Sequence, residues 1–161
     1  DVRPPIAPHP GLVRIVADRS LRLPLTSKLV KTADTQPVWL LTHADAIEQN
    51  ASHATELRER GVKFLVAEDT ALTPETMLKT LAAEGITRLL IEAGPTLSAA
   101  FLAENRVDTL HWYRAPFALG NAGAAPINAL EGVAAGATHI GGRALGDDTY
   151  ACYELTTCLP D

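Results

Sequence analysis

Strand-like and helix-like hydrophobic patterns alternate over the first hundred residues of the chain. Short apolar, β-rich runs predict four strands, over 12–17, 37–42, 62–67 and 86–91. Helical composition predicts three longer segments, over 43–61, 74–84 and 95–104. Because strand and helix alternate, we expect a parallel sheet with right-handed crossovers. The run over 86–91 is nearly all apolar, which is typical of a strand buried on both faces.

Residues that start and stop helices support these boundaries. Thr73 is suited to the N-cap position, with Pro74 at the first helical position and Thr76 three residues after the cap. Gly61 and Gly85 follow helical segments, where a residue with positive φ commonly ends a helix. The helices over 43–61 and 74–84 are therefore predicted to end at these glycines.

The pattern changes beyond about residue 105, where short strands dominate. The segment 107–115 alternates apolar and polar positions as a strand does. Two further strand candidates, 138–145 and 149–156, flank a hairpin signal that begins at Gly146. Between them, 116–136 is a loop region rich in Ala and Gly. We expect an antiparallel hairpin added to the edge of the parallel sheet.

Composition narrows the class of protein. A chain of 161 residues suits one domain, and 47% hydrophobic residues are enough for a core. A net charge of −5 argues against a general nucleic-acid binder. The longest apolar run is far shorter than the roughly 20 residues of a membrane helix. Two cysteines, Cys152 and Cys158, are too few for a disulfide scaffold and indicate reduced thiols in the cytoplasm.

The first residues differ in character from the rest. Residues 1–11 contain four prolines and predict an extended arm or a truncated connector. The chain begins at Asp1, and no secretory signal is visible behind it. Residues 12–161 then form the predicted domain.

The segment 89–100 carries the most informative chemistry. An apolar run ends at Ile91, Glu92 follows it, and Gly94 and Pro95 turn the chain into a helix. We expect Thr96–Ser98 to present free backbone N–H groups, which attract anions at a helix N-terminus. Two structural interpretations stay open: the turn is only a good helix start, and Glu92 only stabilises the helix dipole. The G-x-G-x-x-G motif of dinucleotide-binding folds is absent here.

Several motifs together resemble the reductase domain of the bifunctional riboflavin-biosynthesis protein RibD, a family similar in fold to dihydrofolate reductase. The motifs are Glu92-Ala93-Gly94-Pro95-Thr96-Leu97, Val107-Asp108-Thr109-Leu110, Ala115-Pro116-Phe117-Ala118-Leu119-Gly120, the stretch VRIVADRSLRLP that starts at Val13, and the tail GDDTYACYEL that starts at Gly146. The similarity spans most of residues 12–156. It implies an α/β fold, a three-layer sandwich like dihydrofolate reductase, with a mainly parallel central sheet and a C-terminal antiparallel hairpin.

The resemblance also implies an activity and a set of site residues. The activity is NADPH-dependent reduction of 5-amino-6-(5-phosphoribosylamino)uracil to its ribitylamino product. The cofactor would contact the turn and the helix after it, at Gly94, Pro95, Thr96, Leu97, Ser98, Ala99 and Ala100. The substrate would contact Glu92. A further cofactor contact falls on Arg19, where other members carry Ser and where a guanidinium suits the 2′-phosphate.

No catalytic proton donor and no metal site follow from the sequence, and the five histidines show no metal-ligand spacing. A glycine-rich stretch over 120–125 is either a second phosphate loop or a flexible turn. Nothing before Leu12 resembles the earlier strand and loops of the family. The H-x-E and P-C-x-x-C zinc motifs of a deaminase are also missing. We therefore expect a truncated remnant or a piece of a longer polypeptide with a deaminase domain.

The expected partners are a phosphoribosyl pyrimidine substrate and a second copy in a homodimer, with no nucleic acid and no membrane. Two alternatives to the reductase activity stay open. The chain could be a non-catalytic module of the same fold that serves in oligomerisation or regulation. It could also be a related reductase that acts on another pterin-like substrate.

Overall fold

A computed structural model of the chain describes residues 11–68, 71–117 and 136–155. The chain forms two compact units, Asp1–Thr87 and Arg88–Asp161, and each is described by itself. The predicted arm, the stretch 120–125 and Cys158 lie outside the described residues, except that Gly11 of the arm is described. The assignment of 12–161 to one domain stays a prediction.

The first unit contains a parallel sheet of three strands. These are β1 (Arg14–Ala17), β2 (Val38–His43) and β3 (Val62–Ala67), and β2 lies in the centre. Each strand pairs in parallel with its neighbour, so that Ala17 lies beside Leu41 and Leu41 beside Leu65. The parallel pairing confirms the prediction from the alternating pattern.

Four helices connect and flank these strands: α1 (Lys28–Lys31), α2 (Ala44–Gln49), α3 (Ala51–Glu59) and α4 (Pro74–Ala83). The helical stretch over 43–61 is split at Asn50, which ends α2 and begins α3 with φ −125° and ψ 40°. The chain leaves α3 through Gly61, whose φ of +83° favours glycine. The predicted end of that segment is therefore confirmed.

Apolar side chains of the sheet and the helices form the core of this unit. Leu40 and Leu57 are fully buried, and Val38, Val30 and Val62 are nearly so. Burying one such side chain contributes about 1.5–3 kcal/mol. The core thus fixes β2 against α1 and α3 and sets where the carboxyl ends of the strands lie.

The second unit contains α5 (Pro95–Ala103) and an antiparallel sheet of β4 (Thr109–Arg114), β5 (Thr138–Leu145) and β6 (Asp148–Glu154). The order is β4-β6-β5, and β5 and β6 form the predicted hairpin. The expectation that this hairpin joins the edge of the parallel sheet is wrong, because among the described strands β6 pairs with β4 in a separate sheet. Gly142 on β5 allows a close approach, because a Cβ there would lie 2.7 Å from the Tyr150 carbonyl oxygen. The hairpin and the strand over 109–114 confirm the predicted change of pattern.

The fourth predicted strand is wrong. The structure assigns neither helix nor strand to 86–94, and Leu90 is 65% exposed rather than buried on both faces. A strand needs a neighbour for its backbone groups, and no described strand pairs with this segment. An apolar run alone could not show whether such a neighbour exists.

Candidate functional site

Helix α5 begins with an open N-terminus. Gly94 is its N-cap residue, with φ −65° and ψ 171°, and Pro95 occupies the first helical position. Within 11–68, 71–117 and 136–155, no side chain accepts a hydrogen bond from the first turn. Proline has no N–H group, so the amides of Thr96 and Leu97 are the open donors inside the helix. This geometry supports the predicted anion-binding turn.

The expectation for the amide of Ser98 is wrong. Its N–H donates to the carbonyl oxygen of Gly94 at 3.1 Å, which is the first hydrogen bond of the helix. The Ser98 hydroxyl donates to the carbonyl oxygen of Ala93 at 3.2 Å. In an α-helix the amide of the fourth residue after the N-cap donates to the carbonyl oxygen of the N-cap residue. Leu97 is therefore the last residue of this turn with a free amide.

Among the described residues, neither the backbone nor the packing at position 94 requires glycine. The φ of Gly94 is ordinary for any residue, and a Cβ there would meet no described atom within 4 Å. The residue therefore keeps space clear beside the open amides. That space is what a phosphate group needs to approach the backbone closely.

The predicted site residues become less exposed from Glu92 towards Ala100. Glu92, Gly94 and Thr96 are exposed, and the residues from Leu97 to Ala100 are half-buried. Phe101 and Leu102 follow as the buried anchor of the helix. The first turn of α5 is thus accessible while its second half is fixed by packing.

The electrostatics of the turn come mainly from the backbone. Helix α5 contains no acidic residue in its first turn and no basic residue in its last turn. Its N-terminus carries the partial positive charge of the helix dipole. Glu92 lies two residues before the cap, and its exposed carboxylate does not cap the helix. An incoming anion therefore meets open N–H donors there.

Arg19 lies in the first unit, directly after β1, and its side chain is exposed. The preceding Asp18 is 8% exposed, and its carboxylate accepts hydrogen bonds from the amides of Leu23 at 2.7 Å and Ser20 at 3.3 Å. Sequence reasoning missed this role of Asp18. The signal was present, since an aspartate that ends a strand commonly caps the turn that follows.

A second group of chemically active side chains lies on the antiparallel sheet. The Tyr150 hydroxyl is 2.8 Å from His111 Nδ1, and Cys152 Sγ is 3.7 Å from the same nitrogen. The side-chain hydrogen bond with Cys152 raises the pKa of the Tyr150 phenol above its ordinary value. Within residues 11–68, 71–117 and 136–155 no three metal-ligating side chains come together.

The part of the chain that the structure describes contains no helix with both the length and the apolar character to cross a bilayer.

The chain matches the family model of the RibD C-terminal domain over residues 3–149. It is 33% identical over 120 residues to the riboflavin biosynthesis protein RibD of Actinobacillus pleuropneumoniae, covering 73% of this chain and 30% of that protein. It is 25% identical over 112 residues to a 2,5-diamino-6-ribosylamino-4(3H)-pyrimidinone 5′-phosphate reductase of Archaeoglobus fulgidus, covering 70% of this chain and 48% of that protein.

A solved structure of RibD from Acinetobacter baumannii matches with a TM-score of 0.67 and 29% identity, covering 89% of this chain and 37% of that one. This likeness confirms the α/β fold class. The chain spans less than half the length of these relatives, so it corresponds to one part of them. Because the family model matches residues 3–149, which is most of the chain and includes the first turn of α5, the chain belongs to the RibD C-terminal domain family.

Proposed function

We propose that the chain is the cofactor-binding part of an NADPH-dependent reductase of riboflavin biosynthesis. Its substrate would be 5-amino-6-(5-phosphoribosylamino)uracil, which it reduces to the ribitylamino product. The observation that carries this proposal is the open first turn of α5, which lies inside the segment that resembles the family most specifically.

The open turn fits the diphosphate of a dinucleotide. Thr96 and Leu97 offer two N–H donors, and Gly94 leaves the approach to them clear. A phosphate at a helix N-terminus gains both from these donors and from the helix dipole. Pro95, Ser98, Ala99 and Ala100 complete the proposed contact surface, because small or short side chains let a ligand approach the backbone.

The bound nicotinamide supplies the hydride for the reduction. The residues of this chain bind and orient the cofactor. The amides of α5 would hold its diphosphate. The buried side chains of Phe101 and Leu102 fix the position of the helix. Ser98 ties the Ala93 peptide to the first turn, which fixes the chain between Glu92 and the cap.

Glu92 is the proposed substrate contact. Glu92 is exposed, and its carboxylate accepts no hydrogen bond from the first turn of α5. It can therefore accept hydrogen bonds from the hydroxyl or amino groups of a substrate. Arg19 is a proposed cofactor contact, since an exposed guanidinium binds a phosphate oxygen through charge-assisted hydrogen bonds.

The reductase of Archaeoglobus fulgidus supports the substrate class, because its name specifies a ribosylamino pyrimidinone with a 5′-phosphate. We further propose that the chain works in the cytoplasm as a homodimer and belongs to a polypeptide that carries a deaminase domain. The greater length of the RibD relatives is compatible with that additional domain.

Binding of NADPH, followed by its fluorescence or by calorimetry, tests the proposed site. In Gly94→Asp the new carboxylate would cap the amides of α5 and add a negative charge beside them. We expect this variant to fold and to lose affinity by about tenfold or more, equivalent to roughly 1.4 kcal/mol.

Thr73→Asp is the matched control, because it adds the same charge at the N-cap of α4. It should bind NADPH as the unchanged chain does. The proposal is wrong if the unchanged chain does not bind NADPH, or if Gly94→Asp binds it with undiminished affinity.

A further inference from the structure

A cavity of about 200 Å³ lies on one face of the antiparallel sheet. It is lined by Trp112 and Arg114 of β4 and by Thr149, Ala151 and Tyr153 of β6, and we name it the tryptophan cavity. None of these five residues belongs to the proposed cofactor or substrate site. The function proposed above therefore does not account for this cavity.

The register of β4 against β6 brings these side chains to the same face. Arg114 lies directly opposite Thr149, and Trp112 lies directly opposite Ala151. Because alternate residues of a strand share a face, Tyr153 joins Thr149 and Ala151 on β6. The methyl group of Ala151 is small, so space is left beside the large ring of Trp112 and becomes the cavity.

Aromatic rings form the inner wall of the tryptophan cavity. The ring centroids of Trp112 and Tyr153 are 6.3 Å apart, and the two rings are tilted by 54°. Trp112, Ala151 and Tyr153 are half-buried, whereas Arg114 and Thr149 are exposed. The cavity therefore combines an apolar interior with a polar rim, which is the usual character of a site for a small molecule.

The positive charge of Arg114 has no counterion in the part of the chain that the structure describes. Its guanidinium carbon lies 5.0 Å from the centre of the Trp112 ring, and among these residues its side chain makes no ion pair and no hydrogen bond. By contrast, Lys63 lies over the Trp39 ring at 4.4 Å and is paired with Glu84. Stacking occupies one face of a guanidinium and leaves the N–H groups at its edge available to an anion.

We propose that the tryptophan cavity binds a planar aromatic carboxylate. The ring of the ligand would pack against Trp112 and Tyr153, and its carboxylate would accept two parallel hydrogen bonds from Arg114 and one from the Thr149 hydroxyl. One guanidinium matches the single charge of a carboxylate. The volume is below the roughly 300–1,000 Å³ of pockets for drug-sized ligands, so the ligand is a single substituted ring.

Titration of the isotopically labelled 161-residue chain, followed by nuclear magnetic resonance, tests this site. Benzoate is the probe, because it consists of one ring and one carboxylate. Benzamide keeps the shape of benzoate without its charge, and acetate keeps the charge without the ring. The indole N–H signal of Trp112 reports on the cavity, and that of Trp39 on β2, the other tryptophan of the chain, is the internal reference.

We expect benzoate to shift the Trp112 signal until the site is saturated and to leave the Trp39 signal in place. Benzamide and acetate should bind about tenfold more weakly or less. Arg114→Gln should weaken benzoate binding by about tenfold, and Ala151→Leu, which fills the cavity, should abolish it. Arg143→Gln is the matched control: Arg143 is exposed on β5 opposite Tyr150, so it points to the other face of the sheet, and its loss should not change benzoate binding.

Four results overturn the proposal. Benzoate could leave the Trp112 signal in place, or benzamide or acetate could bind as tightly as benzoate. Arg114→Gln could weaken benzoate binding no more than Arg143→Gln does, which would mean non-specific charge attraction. Finally, Ala151→Leu could bind benzoate with undiminished affinity. None of these results bears on NADPH, because the cavity shares no residue with the open turn of α5.

Discussion

Helices α4 and α5 begin alike in sequence and differently in chemistry. Both have proline at the first helical position. In α4 the N-cap Thr73 accepts a hydrogen bond from the Thr76 amide at 3.2 Å, and the two threonine hydroxyls are 3.0 Å apart. In α5 the N-cap is Gly94, and no side chain in the described part of the chain caps the first turn.

Exposure reinforces the contrast between the two helix starts. At the first and third helical positions, Pro74 and Thr76 of α4 are buried, whereas Pro95 of α5 is exposed and Leu97 is half-buried. A helix start with a purely structural role pairs its free N–H groups with nearby side chains, as the Thr76 amide of α4 pairs with Thr73. A start that leaves its donors open to the outside is available to a ligand, and α5 is of this kind.

Removing the cap of α4 should have the largest effect on stability. Thr73→Ala deletes the acceptor for the Thr76 amide, and we expect a loss of about 1 kcal/mol in the free energy of unfolding. Affinity for NADPH should not change. Urea unfolding followed by the fluorescence of Trp39, in a Trp112→Phe background, measures the first unit.

Thr80→Ala controls for the loss of a threonine on the same helix. Its hydroxyl donates to the Thr76 carbonyl oxygen at 2.9 Å in the helix interior, where alanine is favoured. It should leave stability unchanged or slightly raised. If Thr73→Ala and Thr80→Ala lower the free energy of unfolding equally, the Thr73 cap does not stabilise α4, and the contrast between the two helix starts fails.

Adding a cap to α5 should have a smaller effect, with opposite signs for stability and binding. In Gly94→Ser the new hydroxyl would accept from the Leu97 amide and raise the free energy of unfolding by a few tenths of a kcal/mol. The same hydrogen bond competes with the ligand, so NADPH affinity should fall by about two- to fivefold. Trp112 fluorescence and calorimetry measure the two effects.

Gly94→Ala separates capping from bulk, because alanine adds a Cβ into open space but no acceptor. It should weaken the helix start and reduce affinity less than serine does. An alanine variant that binds as weakly as the serine variant would show that bulk, not competition for the amide, limits binding.

Local signals predicted the elements that depend on local chemistry. The strand over Val62–Ala67 has the predicted bounds, and α4 has the predicted cap at Thr73 and the predicted proline after it. The open turn of α5 followed from Gly94 and Pro95 alone. These features depend on residues within a few positions of one another, which a sequence displays directly.

Features that depend on distant partners could not be predicted in the same way. The run over 86–91 has strand composition, yet strand formation depends on a neighbour that the sequence does not specify. Arg14 is buried because Thr32 and Gln36 supply acceptors 18 and 22 positions away. The positive φ of Leu21 likewise accompanies a side chain that is buried in the core, so the conformation of this turn could not be predicted from the residues around it.

The amide resonances of Thr96 and Leu97 report most directly on the central claim. In nuclear magnetic resonance spectra of the labelled chain titrated with NADP⁺, we predict that these two amides shift most within α5. The amide of Thr76, which is already bonded to Thr73, should not move. If NADP⁺ binds without shifting Thr96 and Leu97, or does not bind, the open turn of α5 does not hold the dinucleotide.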